Sequence, residues 1–228
     1  MSADDGRGSM DVESMMTKGR APRRLVPATL VAGIVAVVGV IALAPRPTGA
    51  LHAPPPAAAA RPLQPLIDAT PSGGSLRLEA GVYAGPAVIA KPMVLRGRPG
   101  AIVDGGGVGT VLAVEADGVT VVGLTLRNSG DRNDGIDAGL RITGGNGVFE
   151  DLVVEDCLYG IQLQQADGNR VRRNRISSKD LPEARRGDAI RVWYSTRNLF
   201  EANEITRVRD GFGIQAIDNH LRGNRVTD

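Results

Sequence analysis

Three segments of the carboxy-terminal half repeat one phrase: Gly-Asn-Arg-Val-Arg-Arg-Asn-Arg-Ile at 168–176, Arg-Asn-Leu-Phe-Glu-Ala-Asn-Glu-Ile at 197–205 and Asp-Asn-His-Leu-Arg-Gly-Asn-Arg-Val at 218–226. Two earlier segments fit the same template, so equivalent positions form columns. Val121, Phe149, Val171, Phe200 and Leu221 make the first, and Leu124, Leu152, Asn174, Asn203 and Asn224 the second. Leu126, Val154, Ile176, Ile205 and Val226 make the third. The first and third columns are wholly apolar. Spacings down the third are 28, 22, 29 and 21 residues, a quasi-repeat with loops of variable length and the mark of a solenoid.

A second phrase sits between copies of the first: Gly-Leu-Arg-Ile (139–142), Gly-Ile-Gln-Leu (160–163), Ala-Ile-Arg-Val (189–192) and Gly-Ile-Gln-Ala (213–216). Each alternates apolar and polar with the period of a strand that buries one face. No intervening segment carries a long amphipathic helical pattern. The pattern predicts an all-β chain, a right-handed parallel β-helix of about six coils. Equivalent positions then stack ~4.8 Å apart, and Asn174, Asn203 and Asn224 are expected to bond side chain to side chain as a ladder.

Composition agrees with one β-rich domain plus an appendage: 228 residues, 42% hydrophobic, 30 Gly and 14 Pro. Only 3% is aromatic, so the core must be Val, Leu, Ile and Ala. The 27 basic and 25 acidic residues are scattered, which argues against nucleic acid as a partner. A single cysteine, Cys157, cannot close an intrachain disulfide and reads as a small core filler.

Leu25 to Ala44 is an uncharged run of 20 residues, ~30 Å long as a helix, and it follows Arg20, Arg23 and Arg24. Positive charge before an apolar run directs export. Residues 1–24 read as a cytoplasmic n-region, with Met15 or Met16 the better start, and 25–44 as a signal peptide or an uncleaved membrane-anchor helix. Both place the repeats outside the cytoplasm, in the periplasm. Residues 45–62 form a Pro- and Ala-rich linker and 63–228 the solenoid. Leu63, Leu66 and Ile67 share one face of a short helix expected to cap the open end of the stack. At the other end Asp228 follows Val226 with no closing element, so a truncated solenoid, or a partner docked on its end, is expected.

The repeats, the phrase Leu-Glu-Ala-Gly-Val-Tyr-Ala-Gly-Pro-Ala-Val-Ile-Ala-Lys-Pro-Met-Val-Leu-Arg-Gly (78–97), Arg-Gly-Asp-Ala-Ile-Arg-Val-Trp-Tyr-Ser (186–195) and Val-Arg-Asp-Gly (208–211) together resemble the NosD family, exported maturation proteins of nitrous-oxide reductase. The resemblance covers roughly residues 63–228 and implies a non-enzymatic periplasmic accessory. Its implied partners are the membrane and ATPase subunits of an ABC transporter and nitrous-oxide reductase, whose copper-sulfur centre is assembled. Copper enters only through that resemblance. Met93, Cys157, His220 and His52 are far apart in coil order, whereas a soft copper site needs converging ligands, so no metal-ligating set is assigned.

The alternative is a carbohydrate-binding or polysaccharide-degrading β-helix of the pectin-lyase type. Asn133-Asp134-Gly135-Ile136-Asp137 is similar to the Asn-Thr-Asp phrase of polygalacturonases, but their paired aspartates, Gly-His-Gly and Arg-Ile-Lys do not follow, so no catalytic residue is assigned. The long spacings mark insertions at one corner, Ser129 to Ala138 with Asp131, Asp134 and Asp137, and Ser177 to Gly187 with Arg185 and Arg186. These insertions are expected to clasp or to rim a docking surface. Beside them an outward row is expected, Arg141, Gln162, Arg191 and Gln215, flanked by Thr143, Gln164, Trp193 and Ile217, with Tyr194 turned away by alternation. Partner contacts are accordingly assigned to Asp188, Arg191, Trp193, Arg209, Asp210, Arg185 and Arg186.

Overall fold

The computed structural model describes residues 60–227. The export segment 25–44, the n-region before it and most of the linker lie outside the described residues. Among those described, no helix is long and apolar enough to cross a membrane.

Each coil runs strand, tight corner, strand, loop, strand, and the strands stack into parallel sheets of seven, eight and six members. Six complete coils result, with two strands of a further one at 220–227. The columns fall in register as the sequence predicts. Val121, Phe149, Val171, Phe200 and Leu221 pair along the seven-stranded sheet, and Leu126, Val154, Ile176, Ile205 and Val226 along the eight-stranded one. Their side chains meet in a single core that runs from Leu63 to Ile205, with Phe149 and Phe200 fully buried. Burial of each such ring stabilises the stack by roughly 2–3 kcal/mol.

The corners explain why the second column changes from Leu to Asn. The residue before it is left-handed in each of the five coils of the columns: Gly123 (φ 69), Asp151 (56), Arg173 (55), Ala202 (53) and Gly223 (60). That turn pulls the next backbone N–H away from ladder pairing. Asparagine restores its partner from one coil on: Asn174 N–H donates to Asn203 Oδ1 (3.1 Å), and Asn203 N–H to Asn224 Oδ1 (3.0 Å). The side-chain amides also bond along the axis, Asn174 Nδ2 to Asn203 Oδ1 at 3.0 Å and Asn203 Nδ2 to Asn224 Oδ1 at 2.9 Å. A second ladder, not set in columns by the sequence reading, lines the opposite corner. Asn169 N–H donates to Asn198 Oδ1 (2.8 Å) and Asn198 N–H to Asn219 Oδ1 (3.0 Å).

The amino-terminal cap forms, with a correction. Gln64–Ala69 is helical, and Leu63 and Ile67 are buried against the core. Leu66 is instead 37% exposed, because one turn of helix can bury only a narrow stripe. Gln64 adds a function of its own. Its Oε1 accepts from Val88 N–H (2.7 Å) and its Nε2 donates to Val88 C=O (3.1 Å), so one side-chain amide occupies the open edge of the six-stranded sheet. Arg61–Pro62 pairs with Tyr83 and Ala84, drawing the last linker residues into the stack.

Candidate docking site

The outer face of the six-stranded sheet carries the residues singled out by sequence. Arg141, Gln162 and Arg191 lie in register on consecutive coils. The fourth member differs from expectation: Gly213 stands opposite Arg191, and Gln215 stands opposite Trp193, where Ile217 was expected. A methyl group at 213 would meet the Asp188 carboxylate, so glycine here leaves that side chain where it lies.

Asp188 is the hub. It is 5% exposed and accepts from Arg209 Nη2 at 2.7 Å, while Arg209 Nε reaches Asp210 at 2.9 Å. Hydrogen bonds to Asp210 and Asp188 raise the Arg209 pKa further, so this cation stays charged at any working pH. Arg191 packs its guanidinium 3.8 Å above the Trp193 ring and 5.2 Å from that of Tyr159. Five of the seven predicted contact residues, Asp188, Arg191, Trp193, Arg209 and Asp210, thus gather in one cluster. Arg185 and Arg186 do not join it: Arg185 is exposed in a short 3-10 turn, and Arg186 Nε donates to Leu181 C=O within its own loop.

The two insertions meet without an Asp–Arg clasp. Ile136 from the first and Leu181 from the second pack on Ala138, Leu158 and Tyr159, and Tyr159 Oη donates to Asn133 Oδ1 at 3.1 Å. Two of the three aspartates are satisfied locally. Asp134 pairs with Arg132 at 2.9 Å, and Asp137 Oδ2 accepts from Arg132 N–H. Tyr159 was not among the sequence-predicted contacts; its signal was an aromatic where neighbouring coils place Ala138 and Asp188. Tyr194 is the other departure. Its φ of 48° takes it out of the strand, so the ring is 71% exposed and not turned inward by alternation.

Among the described residues the soft ligands do not converge, and His52 lies outside them. Met93 and Cys157 are buried in the core, and burial pushes the Cys157 thiol up to about 12, which withholds the thiolate a copper ion needs. His220 lies exposed on the last described coil, and no group of three His, Cys, Asp or Glu among the described residues is placed to hold a metal. These residues do not fit a resident copper site.

Residues 109–228 match the family model described as "Right handed beta helix region". The chain belongs to the right-handed β-helix family. Within it, the chain is similar to the "Probable ABC transporter binding protein NosD" of Pseudomonas aeruginosa, 32% identical over 157 residues, covering 68% of this chain and 37% of that one. The protein of that name from Stutzerimonas stutzeri is 30% identical over 179 residues, covering 72% and 37%. This β-helix is thus NosD-like and spans little more than a third of those relatives' length. A crystal structure of an alginate lyase from Paenibacillus sp. str. FPU-7 matches with a TM-score of 0.61 at 17% identity, covering 72% of this chain and 63% of that one, a likeness of fold.

Proposed function

We propose that this chain is an exported, non-enzymatic docking scaffold that associates with an ABC transporter during maturation of the copper-sulfur centre of nitrous-oxide reductase. One observation carries the reading: the cluster of Arg191, Trp193, Asp188 and Arg209 on the outer sheet face, with Tyr194 exposed beside it, in a chain similar to proteins named for transporter binding. Arginine and aromatic side chains held rigid by packing are what dominates protein–protein recognition. Catalysis on polysaccharide finds less support. A glycosidase acid needs a raised pKa. Asp134, in the polygalacturonase-like phrase, instead pairs with Arg132 at 2.9 Å, and that hydrogen-bonded guanidinium holds its carboxyl below the usual range. Export through residues 25–44 places the scaffold in the periplasm, with copper or sulfur as cargo of the assembly and not as a ligand of the β-helix.

The test is co-purification of the full chain with the transporter's membrane and ATPase subunits, expressed together. Association that drops at least tenfold in a Trp193→Ala, Tyr194→Ala variant supports the reading. Hydrolysis of polygalacturonate that disappears in Asp134→Asn overturns it.

A further inference from the structure

The row Arg141–Gln162–Arg191 is poorly satisfied for its burial. Gln162 is 1% exposed, yet its Oε1 has no hydrogen-bond partner among the described residues, nor do the Nε groups of Arg141 and Arg191. Arg141 reaches only the neutral Thr110 hydroxyl, at 2.9 Å. For Arg191 the one nearby carboxylate oxygen is Asp188 Oδ2 at 3.9 Å, and that carboxylate is already bonded to Arg209 at 2.7 Å. Two guanidinium groups, rooted ~10 Å apart across a buried amide, therefore lack a counter-ion of their own. Native structures leave few such groups unmatched, and a charged ligand is one cause of the exceptions.

We propose that this row is a receptor for carboxylate side chains on an acidic segment of a partner protein. The inference rests on the docking reading above and names the chemistry of the partner. Paired guanidinium groups suit planar carboxylates, which accept two parallel hydrogen bonds. A polypeptide fits better than an acidic sugar because neither ring of the row offers a free face. Arg191 covers Trp193 at 3.8 Å, and Tyr159 is 4% exposed with its hydroxyl bonded to Asn133. The open apolar groups are instead Tyr194 and Ile217, 71% and 77% exposed on adjoining coils, which suit the side chains that flank an acidic residue in a protein.

Trp193 is the only tryptophan of the chain and lies under the Arg191 guanidinium, so its fluorescence reports on the row. The full chain is titrated with hexaglutamate, hexagalacturonate and inorganic sulfate at matched charge, with circular dichroism to verify folding and, as a remote control, Arg77→Gln, which lies beside Arg96 in the first coil of the seven-stranded sheet. A saturable hexaglutamate response, weakened at least tenfold in Arg141→Gln and in Arg191→Gln and unchanged in Arg77→Gln, supports the receptor. A flat titration, a response the variants leave intact, or tighter binding of hexagalacturonate or sulfate overturns it. Co-purification of the transporter subunits separates the two claims: if it survives in Arg141→Gln and Arg191→Gln, the acidic receptor falls and docking stands. Failure of the unaltered chain to associate overturns docking itself.

Discussion

Truncating Asn203 to alanine removes the centre of the corner ladder. The residue is fully buried, and its side chain makes four hydrogen bonds: Oδ1 accepts from Asn174 N–H and Nδ2, and Nδ2 donates to Val171 C=O and Asn224 Oδ1. Asn174 Nδ2 keeps Phe149 C=O and Asn224 Oδ1 keeps Asn203 N–H, so those groups are weakened, not stranded. The Asn174 N–H loses its acceptor outright, which costs about 1–3 kcal/mol, and the other bonds add roughly 1 kcal/mol each before relaxation. A destabilisation of about 3–5 kcal/mol follows. Asn203→Leu separates the contributions, because Leu124 and Leu152 occupy the same column and leucine fills the space without supplying an acceptor. It should recover about 1–2 kcal/mol and no more. Urea unfolding at unchanged m gives the loss, and exchange of the Asn174 amide, faster by about a hundredfold or more, locates it. An alanine variant within about 1 kcal/mol of the parent refutes the reasoning. A leucine variant as stable as the parent does so too, since it would assign the column's contribution to volume.

Gly213→Ala should displace the Asp188 carboxylate from Arg209 and destabilise by about 1–3 kcal/mol, seen as a lowered melting temperature, with Arg209→Ala partly mimicking it. Asp151 is held below the usual carboxylate range, first by its hydrogen bond from Arg173. Its contribution is present above the unfolded pKa near 3.8 and lost as pH falls through the lower folded value. Arg173→Gln should therefore be less stable than the parent at pH ~6 and indistinguishable from it well below pH ~3, by urea midpoint. Cys157, with its thiol pushed up to about 12, should resist a thiol reagent at pH ~8 until the chain unfolds, and labelling faster than unfolding would contradict its burial. Gln64→Ala should free the Val88 edge, cost about 1–2 kcal/mol and speed exchange of the Val88 amide.

The columns were legible because inward positions of a stacked coil are read directly as apolar residues at fixed offsets from a corner. Legibility failed where a repeated phrase changes its register. Gly-Ile-Gln at 213–215 copies Gly-Ile-Gln at 160–162, yet Arg191, which pairs with Gln162 on one side, pairs with Gly213 and not Gln215 on the other. The ladder of Asn169, Asn198 and Asn219 went unseen because attention to apolar offsets passes over a polar column that is buried only at a corner. At the site, the unequal spacings disclosed both insertions. Their meeting at Tyr159 depends on how each loop folds back over the sheet, which no period records. The exposure of Tyr194 comes from one left-handed dihedral, invisible to an alternation rule.

The asparagine corners impose an order on the coils. Each Asn gives its Oδ1 to the coil before and needs an Oδ1 from the coil after: Leu152 N–H uses Asn174, Asn174 uses Asn203, and Asn203 uses Asn224. A leucine coil can precede an asparagine coil at no loss, whereas the reverse junction strands a backbone N–H and takes from a side-chain amide one of its two acceptors. Coils of this β-helix are therefore not interchangeable units. A duplication of the leucine-cornered segment 120–147 is tolerated next to itself but penalised after Asn174, so lengthening by internal copying has a direction written into its corners.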